Sequence, residues 1–408
     1  MNQRLLTTLG CVLALSSCSR DEDAATTPSS ATTTPVETSA SNTSYAPAFA
    51  GQTRTSGVVT GASYRATVVT SALTSPWGVV GLPDGRLLVT EKAGTMRLVT
   101  AAGAVSAPIT GLPAVNPAGQ GGLLGLCLDP EFASNRLVYW SFSEARPGGN
   151  LTAIGKGRLA TDERTVEGAS VIYRAEPAYA GALHYGGRVV FDRAGNLLVS
   201  TGERSDLATR PQAQVASSAL GKIIRITRDG QPAAGNPTFA QAGARPELYS
   251  IGHRNPQGLA VHPTTGELWQ SEHGPRGGDE LNRIRAGANY GWPTITYGIE
   301  YSGQPIGGPL QQSAGLEQPA YYWDPVVSPS GMTFYTGNRI AEWQNNLFIG
   351  TLSGQHIVRL VLNTNNQVVG EERLLASEGQ RFRDVTQGTD GALYAITDQG
   401  RLYRIDRQ

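Results

Sequence analysis

DRAGNLLVST, residues 192–201, decides the architecture. The run Asp192-Arg193-Ala194-Gly195-Asn196 is turn chemistry, with Gly and Asn supplying the left-handed conformations that tight turns need. Leu197-Leu198-Val199 is then a short apolar strand closed by Ser200 and Thr201. Upstream, GRVVFD supplies the first arm, so the unit is a β-hairpin. The pattern recurs at LPDGRLLVTE (residues 82–91), ASNRLVYWS (133–141), PTTGELWQSE (263–272), WQNNLFIGT (343–351) and GTDGALYAIT (388–397). The second arms begin at Leu87, Leu137, Leu197, Leu268, Leu347 and Leu393, at intervals of 46 to 79 residues. That interval holds a four-stranded blade plus loops of varied length, and six blades close into an all-β, six-bladed β-propeller over residues 57–408. A two-sheet sandwich leaves the six similar hairpins unexplained. A propeller gathers loops from every blade at the mouth of its channel, so functional residues are expected on loops scattered along the chain.

Composition agrees. The 408 residues include 50 Gly, and only three of the 33 cations are Lys, which favours turn-rich β structure over helix. With 33 Lys+Arg against 33 Asp+Glu there is no basic face for a phosphate backbone, and nucleic acid is excluded as a partner. Arg4, the apolar stretch from Leu5 to Leu15 and then Leu15-Ser16-Ser17-Cys18 read as a lipoprotein signal over residues 1–17, with Cys18 as the acylated first residue. The expected place is the periplasmic face of the cell envelope, anchored to a membrane through Cys18. Residues 18–56 are so poor in large apolar side chains that a disordered tether is expected. Cys127 is left without an intramolecular partner in the mature chain.

The polar clusters fall at the ends of the hairpins. His184 precedes the third hairpin and Glu203 leaves it 19 residues later, a spacing that brings a base and its orienting carboxylate to one end. GHRNPQG (252–258) precedes the fourth hairpin and SEHGPRGGDE (271–280) leaves it. Gln120, in GQGG, precedes the second, and Arg381-Phe382-Arg383 the sixth. In an extended segment Arg381 and Arg383 point the same way, which suits an anionic ligand.

GQGGLLGLCLDPEF, LHYGGRVVFDRAGNLLVSTGE, GHRNPQGLAVHP and SEHGPRGGDELNRIRAGANYGWP occur in order. In these segments the chain resembles the soluble aldose sugar dehydrogenases that use pyrroloquinoline quinone (PQQ), relatives of soluble quinoprotein glucose dehydrogenase, over roughly residues 70 to 405. The resemblance implies oxidation of the anomeric carbon of aldose sugars to lactones, with electrons passed from the quinone to an external acceptor. It makes His184 the catalytic base, with Glu203 and Arg254 beside it. It implies cofactor contacts from Gln120, His184, Arg254, Asn255, His273, Tyr301, Arg381 and Arg383. It also gives the carbonyls of Gly274 and Pro275 a Ca2+ that binds the cofactor, and Glu280 and Tyr290 a second, structural Ca2+. Such a reaction suits these residue types: a hemiacetal loses a proton and a hydride, which calls for a base of near-neutral pKa and fixed positive charge at the acceptor.

Departures from the family pattern are specific. The glucose dehydrogenases place a Lys near the cofactor after the fifth hairpin; here that loop reads Thr351-Leu352-Ser353-Gly354-Gln355, and no lysine is expected nearby. His273 stands where they have Gln, and Glu203 replaces a shorter carboxylate. Tyr321 and Trp323 are candidates either to stack on the quinone or to fill the core. The five histidines lack zinc-site spacing, and GKGRLA (155–160) leads into TDER instead of an apolar helix, so the dinucleotide reading fails. Two alternatives from other classes stay open: a calcium-dependent propeller lactonase and a non-catalytic, envelope-binding propeller.

Overall fold

The computed structural model describes Met1 and residues 31–408. The signal segment, Cys18 and the first part of the tether lie outside the described residues.

Every second arm begins where the sequence places it, with strands starting at Leu87, Leu137, Leu197, Leu268, Leu347 and Leu393. Each is the second strand of one of six antiparallel sheets arranged as a propeller. In chain order the blades run from Pro76 to Val99, Leu123 to Arg174, Val189 to Ile251, Pro256 to Trp323, Pro329 to Leu374, and Phe382 to Arg407. The first blade has three strands instead of the expected four, because its outer edge pairs only through isolated bridges at Met96–Ile109 and Val99–Val105. The sixth is completed from the other end of the chain: Tyr64–Thr70 pairs antiparallel with Leu402–Arg407, Thr70 opposite Leu402 and Tyr64 opposite Arg407.

The second arms are apolar at consecutive positions because both faces of a blade are covered. Side chains alternate between faces along a strand. In the third blade Leu197 and Val199 pack toward the second blade, among Tyr139 and Ile154. Leu198, between them, packs toward the fourth, beside Leu259 and Leu268. Leu393 and Ala395 likewise face the fifth blade, while Tyr394 and Ile396 face the first. The core is thus a ring of seams between neighbouring blades, with no single centre. In the third hairpin the turn residue Gly195 has φ +77°, and Asp192 closes the turn by accepting from the Gly195 N–H at 3.1 Å.

Residues 31–56 correct the tether expectation. Ala31–Pro35 pairs with Ser56–Val58, which joins the outer edge of the fifth blade through Gly57 opposite Glu371. Between these strands the chain straps across the fourth blade. Gln52 is fully buried; its Nε2 donates to the Pro319 carbonyl at 3.0 Å, and its carbonyl accepts from the Tyr322 N–H at 2.9 Å. Composition misled here because the strap is fixed by hydrogen bonds, and low apolar content argues for disorder only where no polar partner waits. Tyr321 and Trp323 are core residues, 1% and 3% exposed and packed edge to face, and border neither half of the site described below.

Candidate functional site

The loops at the ends of the second strands converge on two adjoining cavities of about 300 and 330 Å3, which share Gln120, His273 and Ser328. All six blades contribute to their walls.

The reactive half contains His184. Its Nδ1 lies 2.6 Å from Glu203 Oε1, and its backbone N–H donates to Gln120 Oε1 at 2.8 Å. His184 has φ +46°, a conformation a β-carbon resists, and the surrounding contacts enforce it. Gly202 makes the turn possible: a β-carbon there would sit 2.2 Å from the His184 carbonyl oxygen. Burial, with the charges of Arg254, Arg204 and Arg210, holds the imidazole well below its usual pKa. Burial also pushes Glu203 up to about 7 against the pull of Arg254 and Arg210. Above that pH the pair is an ionised carboxylate accepting from Nδ1–H, and Nε2 keeps its lone pair. Nε2 has no hydrogen-bond partner among the described residues, and His184 lines the cavity.

A second His–Glu pair has the same geometry but is closed off from the cavity. His253 and Glu272 stand at the equivalent places in the next blade, also 19 residues apart, with Nδ1 to Oε1 at 3.0 Å. There Nε2 is capped by Ser250 Oγ at 2.8 Å, and His253 is fully buried against Tyr290, ring centroids 4.9 Å apart. The blade repeat built the same device twice and opened one copy to the cavity.

Arg254 borders the same half. Its Nη1 donates to the carbonyls of His273 at 3.1 Å and Gly274 at 2.7 Å, while Nε is buried without a partner. His273, pushed down to about 3 by burial and by the nearby His184 and Arg254, is neutral, and its Nε2 is also unpartnered. Two residues that line one cavity thus each keep a buried polar atom without a partner, the kind of unmet need a polar ligand can answer. Asn255 Oδ1 accepts from the Gly186 N–H at 3.1 Å and ties the third blade's loop to the fourth's. Tyr301 lies on the rim, 73% exposed.

The other half is cationic. Arg381 and Arg383 both grip Asp398, through Nε at 2.9 and 2.7 Å, and both face the cavity. Lys92 joins them and corrects the expectation that no lysine is near. It leaves the first hairpin, and its Nζ donates to the Gly119 carbonyl at 2.8 Å. Burial and the Arg383 charge pull its pKa below the usual value. A register signal could have found it: Lys92 follows Glu91 at the end of the second strand of its blade, as His273 follows Glu272. Beneath both halves Arg188 and Asp384 form a buried ion pair at 2.7 Å across the channel, with Trp77 stacked on the guanidinium at 4.4 Å.

The expected metal residues divide. Gly274 and Pro275 line the reactive half on a loop pinned by Asp279, whose Oδ1 accepts from the Gly274 N–H at 2.7 Å. Glu280 is half-buried opposite Glu272 on the neighbouring strand, and Asn282 Nδ2 lies 3.2 and 3.1 Å from the two carboxylates. The Tyr290 hydroxyl is spent elsewhere, donating to the Arg283 carbonyl and accepting from the Arg285 N–H at 2.9 Å. The structure shows no contact between Glu280 and Tyr290.

The six-bladed ring thus sets a carboxylate-oriented imidazole beside a cationic recess, and residues 73–404 match the glucose/sorbosone dehydrogenase family, to which the chain belongs. It is 41% identical to the aldose sugar dehydrogenase YliI of Escherichia coli (strain K12), over 83% of this chain and 91% of that one. The apo crystal structure of the soluble aldose sugar dehydrogenase from Escherichia coli superposes with TM-score 0.81 at 40% identity, over 85% of this chain and all of that one. The PQQ-bound aldose sugar dehydrogenase from Streptomyces coelicolor gives TM-score 0.69 at 30% identity, over 86% of this chain and all of that one.

Proposed function

We propose that this enzyme oxidises the anomeric carbon of aldose sugars to lactones with PQQ. The observation that carries the reading is the juxtaposition of His184, its Nε2 free, with a recess walled by Lys92, Arg381 and Arg383. A polyanionic quinone fits that recess: three cations face it, and the unpartnered Arg254 Nε and His273 Nε2 await acceptors or donors. When bound, PQQ supplies the electrophile that takes the hydride. His184 Nε2 takes the proton of the anomeric hydroxyl, Glu203 fixes the ring's tautomer and orientation, and Arg254 provides fixed positive charge in a site shielded from water. Gln120 positions the His184 backbone, and Asn255 holds the third and fourth blades' loops together.

The carbonyls of Gly274 and Pro275 are hard oxygen donors of the kind Ca2+ prefers, and they would hold it beside the cofactor. Glu280, half-buried and facing Glu272 across neighbouring strands, is the residue for a second Ca2+; if Tyr290 takes part, its backbone carbonyl is the available donor. Export, acylation at Cys18 and delivery of electrons to an external acceptor in the envelope complete the proposal, supported by the sequence of residues 1–18. The lactonase alternative calls for clustered carboxylate ligands, and the described residues contain no group of three or more His, Cys, Asp or Glu arranged for a metal. It also leaves the three cations idle.

The test is dye reduction by the purified full-length protein with glucose and other aldoses, before and after addition of PQQ and Ca2+. Activity is expected only after both additions. Absence of activity, together with no change in melting temperature on adding PQQ, overturns the reading.

A further inference from the structure

The family match begins at residue 73, yet the wall of the cavity that holds His184 includes Asn42. Resting on the aldose reading above, we infer that the strap over residues 37–55 is part of the sugar site and that Asn42 is a specificity-determining residue.

Asn42 is fixed as a built wall would be. Its backbone N–H and its Nδ2 both donate to Asp324 Oδ1 at 2.8 Å. Thr43 donates to the other oxygen, Oδ2, through its backbone N–H and its hydroxyl, each at 3.0 Å. From the far side Arg276 Nε donates to Asn42 Oδ1 at 3.1 Å. Arg54 Nη2 ties the same turn down through the Ser39 carbonyl, Ser41 Oγ and the Asp324 carbonyl. The strap's start is held by the Glu37–Arg373 ion pair at 2.8 Å, and its end by buried Gln52.

An amide bound once at nitrogen and once at oxygen still has one N–H and one lone pair to offer. A donor and an acceptor on one rigid plane match two adjacent hydroxyls of a sugar ring. Tyr301, on the same cavity and 73% exposed, adds an aromatic face for the ring's C–H groups. With His184 acting at the anomeric carbon, Asn42, elsewhere on the same cavity wall, is placed to read other hydroxyls of the ring. At about 330 Å3 this half of the site lies near the small end of ligand pockets, a size that suits one sugar unit, with Asn42 of the strap on its wall. The inferred role is therefore discrimination of monosaccharides from longer saccharides.

The experiment compares the full-length protein with Asn42→Ala and Asn42→Trp, each loaded with PQQ and Ca2+, on glucose and on a disaccharide such as maltose. PQQ affinity, from quenching of intrinsic fluorescence, and melting temperature serve as readouts independent of turnover. For Asn42→Ala the glucose KM should rise about three- to tenfold with little change in kcat, as loss of one hydrogen bond to the sugar implies. The maltose kcat/KM should hold or rise. Asn42→Trp should lose turnover on both sugars while PQQ affinity stays at the wild-type value and the melting temperature falls no further than for Asn42→Ala, which loses the same bonds to Asp324 and Arg276. Wild-type protein that oxidises no aldose sinks the functional reading and this inference with it. Active wild-type protein whose two variants keep its glucose-to-maltose ratio and its KM overturns this inference alone.

Discussion

A proton shared between His184 Nδ1 and Glu203 Oε1 sets the chemistry available at the level of single side chains. On the proposed mechanism the active form is the pair with Glu203 ionised, because a protonated Glu203 or a doubly protonated His184 puts a proton on Nε2. As pH falls through about 7 the pair takes up that proton, so kcat/KM for aldoses should climb with pH and level off above it. Glu203→Gln removes the titrating carboxylate, and its rate profile should lose that limb while falling in absolute rate. His184→Ala should cost about 10²- to 10⁴-fold in kcat, the usual worth of a positioned base, with PQQ affinity retained. Stopped-flow dye reduction from pH 5 to 9 reads both variants; a His184→Ala enzyme at full speed would falsify the assignment. The sequence showed the 19-residue spacing twice and could not choose between the copies from spacing alone. What separates them is Ser250 on His253 Nε2, a contact made three residues away through the bend of one blade.

At the scale of the element, the hairpins were legible because their signal is local. A turn of Asp, Gly or Asn followed by an arm buried on both faces needs no knowledge of the rest of the chain. Residues standing just beyond those arms were legible only where a familiar motif drew attention to them. Lys92 occupies the place of His273 in its own blade, but its contribution depends on the sixth blade folding back beside the first, which no local signal announces. The strap was illegible for another reason: its polar side chains find partners, Asp324 above all, in segments hundreds of residues further along. Lys92 offers a test at this scale. Lys92→Met keeps the aliphatic stem but removes the charge, and should weaken PQQ binding about tenfold at low salt and less as salt rises, in a fluorescence titration of the apoprotein. An unchanged affinity at all salt concentrations would remove Lys92 from the cofactor site.

For the whole molecule, the Arg188–Asp384 pair is the cross-brace. It joins the third and sixth blades through the channel, and the Val79 N–H of the first blade also donates to Asp384 Oδ2 at 3.0 Å. Asp384→Ala strands a buried guanidinium and should destabilise the fold by about 3–5 kcal/mol, seen as a lower urea midpoint. A midpoint within error of wild type would mean that water or a neighbouring side chain replaces the carboxylate. The pair was not expected from sequence, since its partners are adjacent only once the ring has closed.

Closure itself ties together segments that lie far apart in the chain. The strand Tyr64–Thr70 pairs along its length with Leu402–Arg407. Neither can leave without opening the sixth blade, so the two should come away together when the ring unlocks, and a contact this distant in sequence is among the slowest to form.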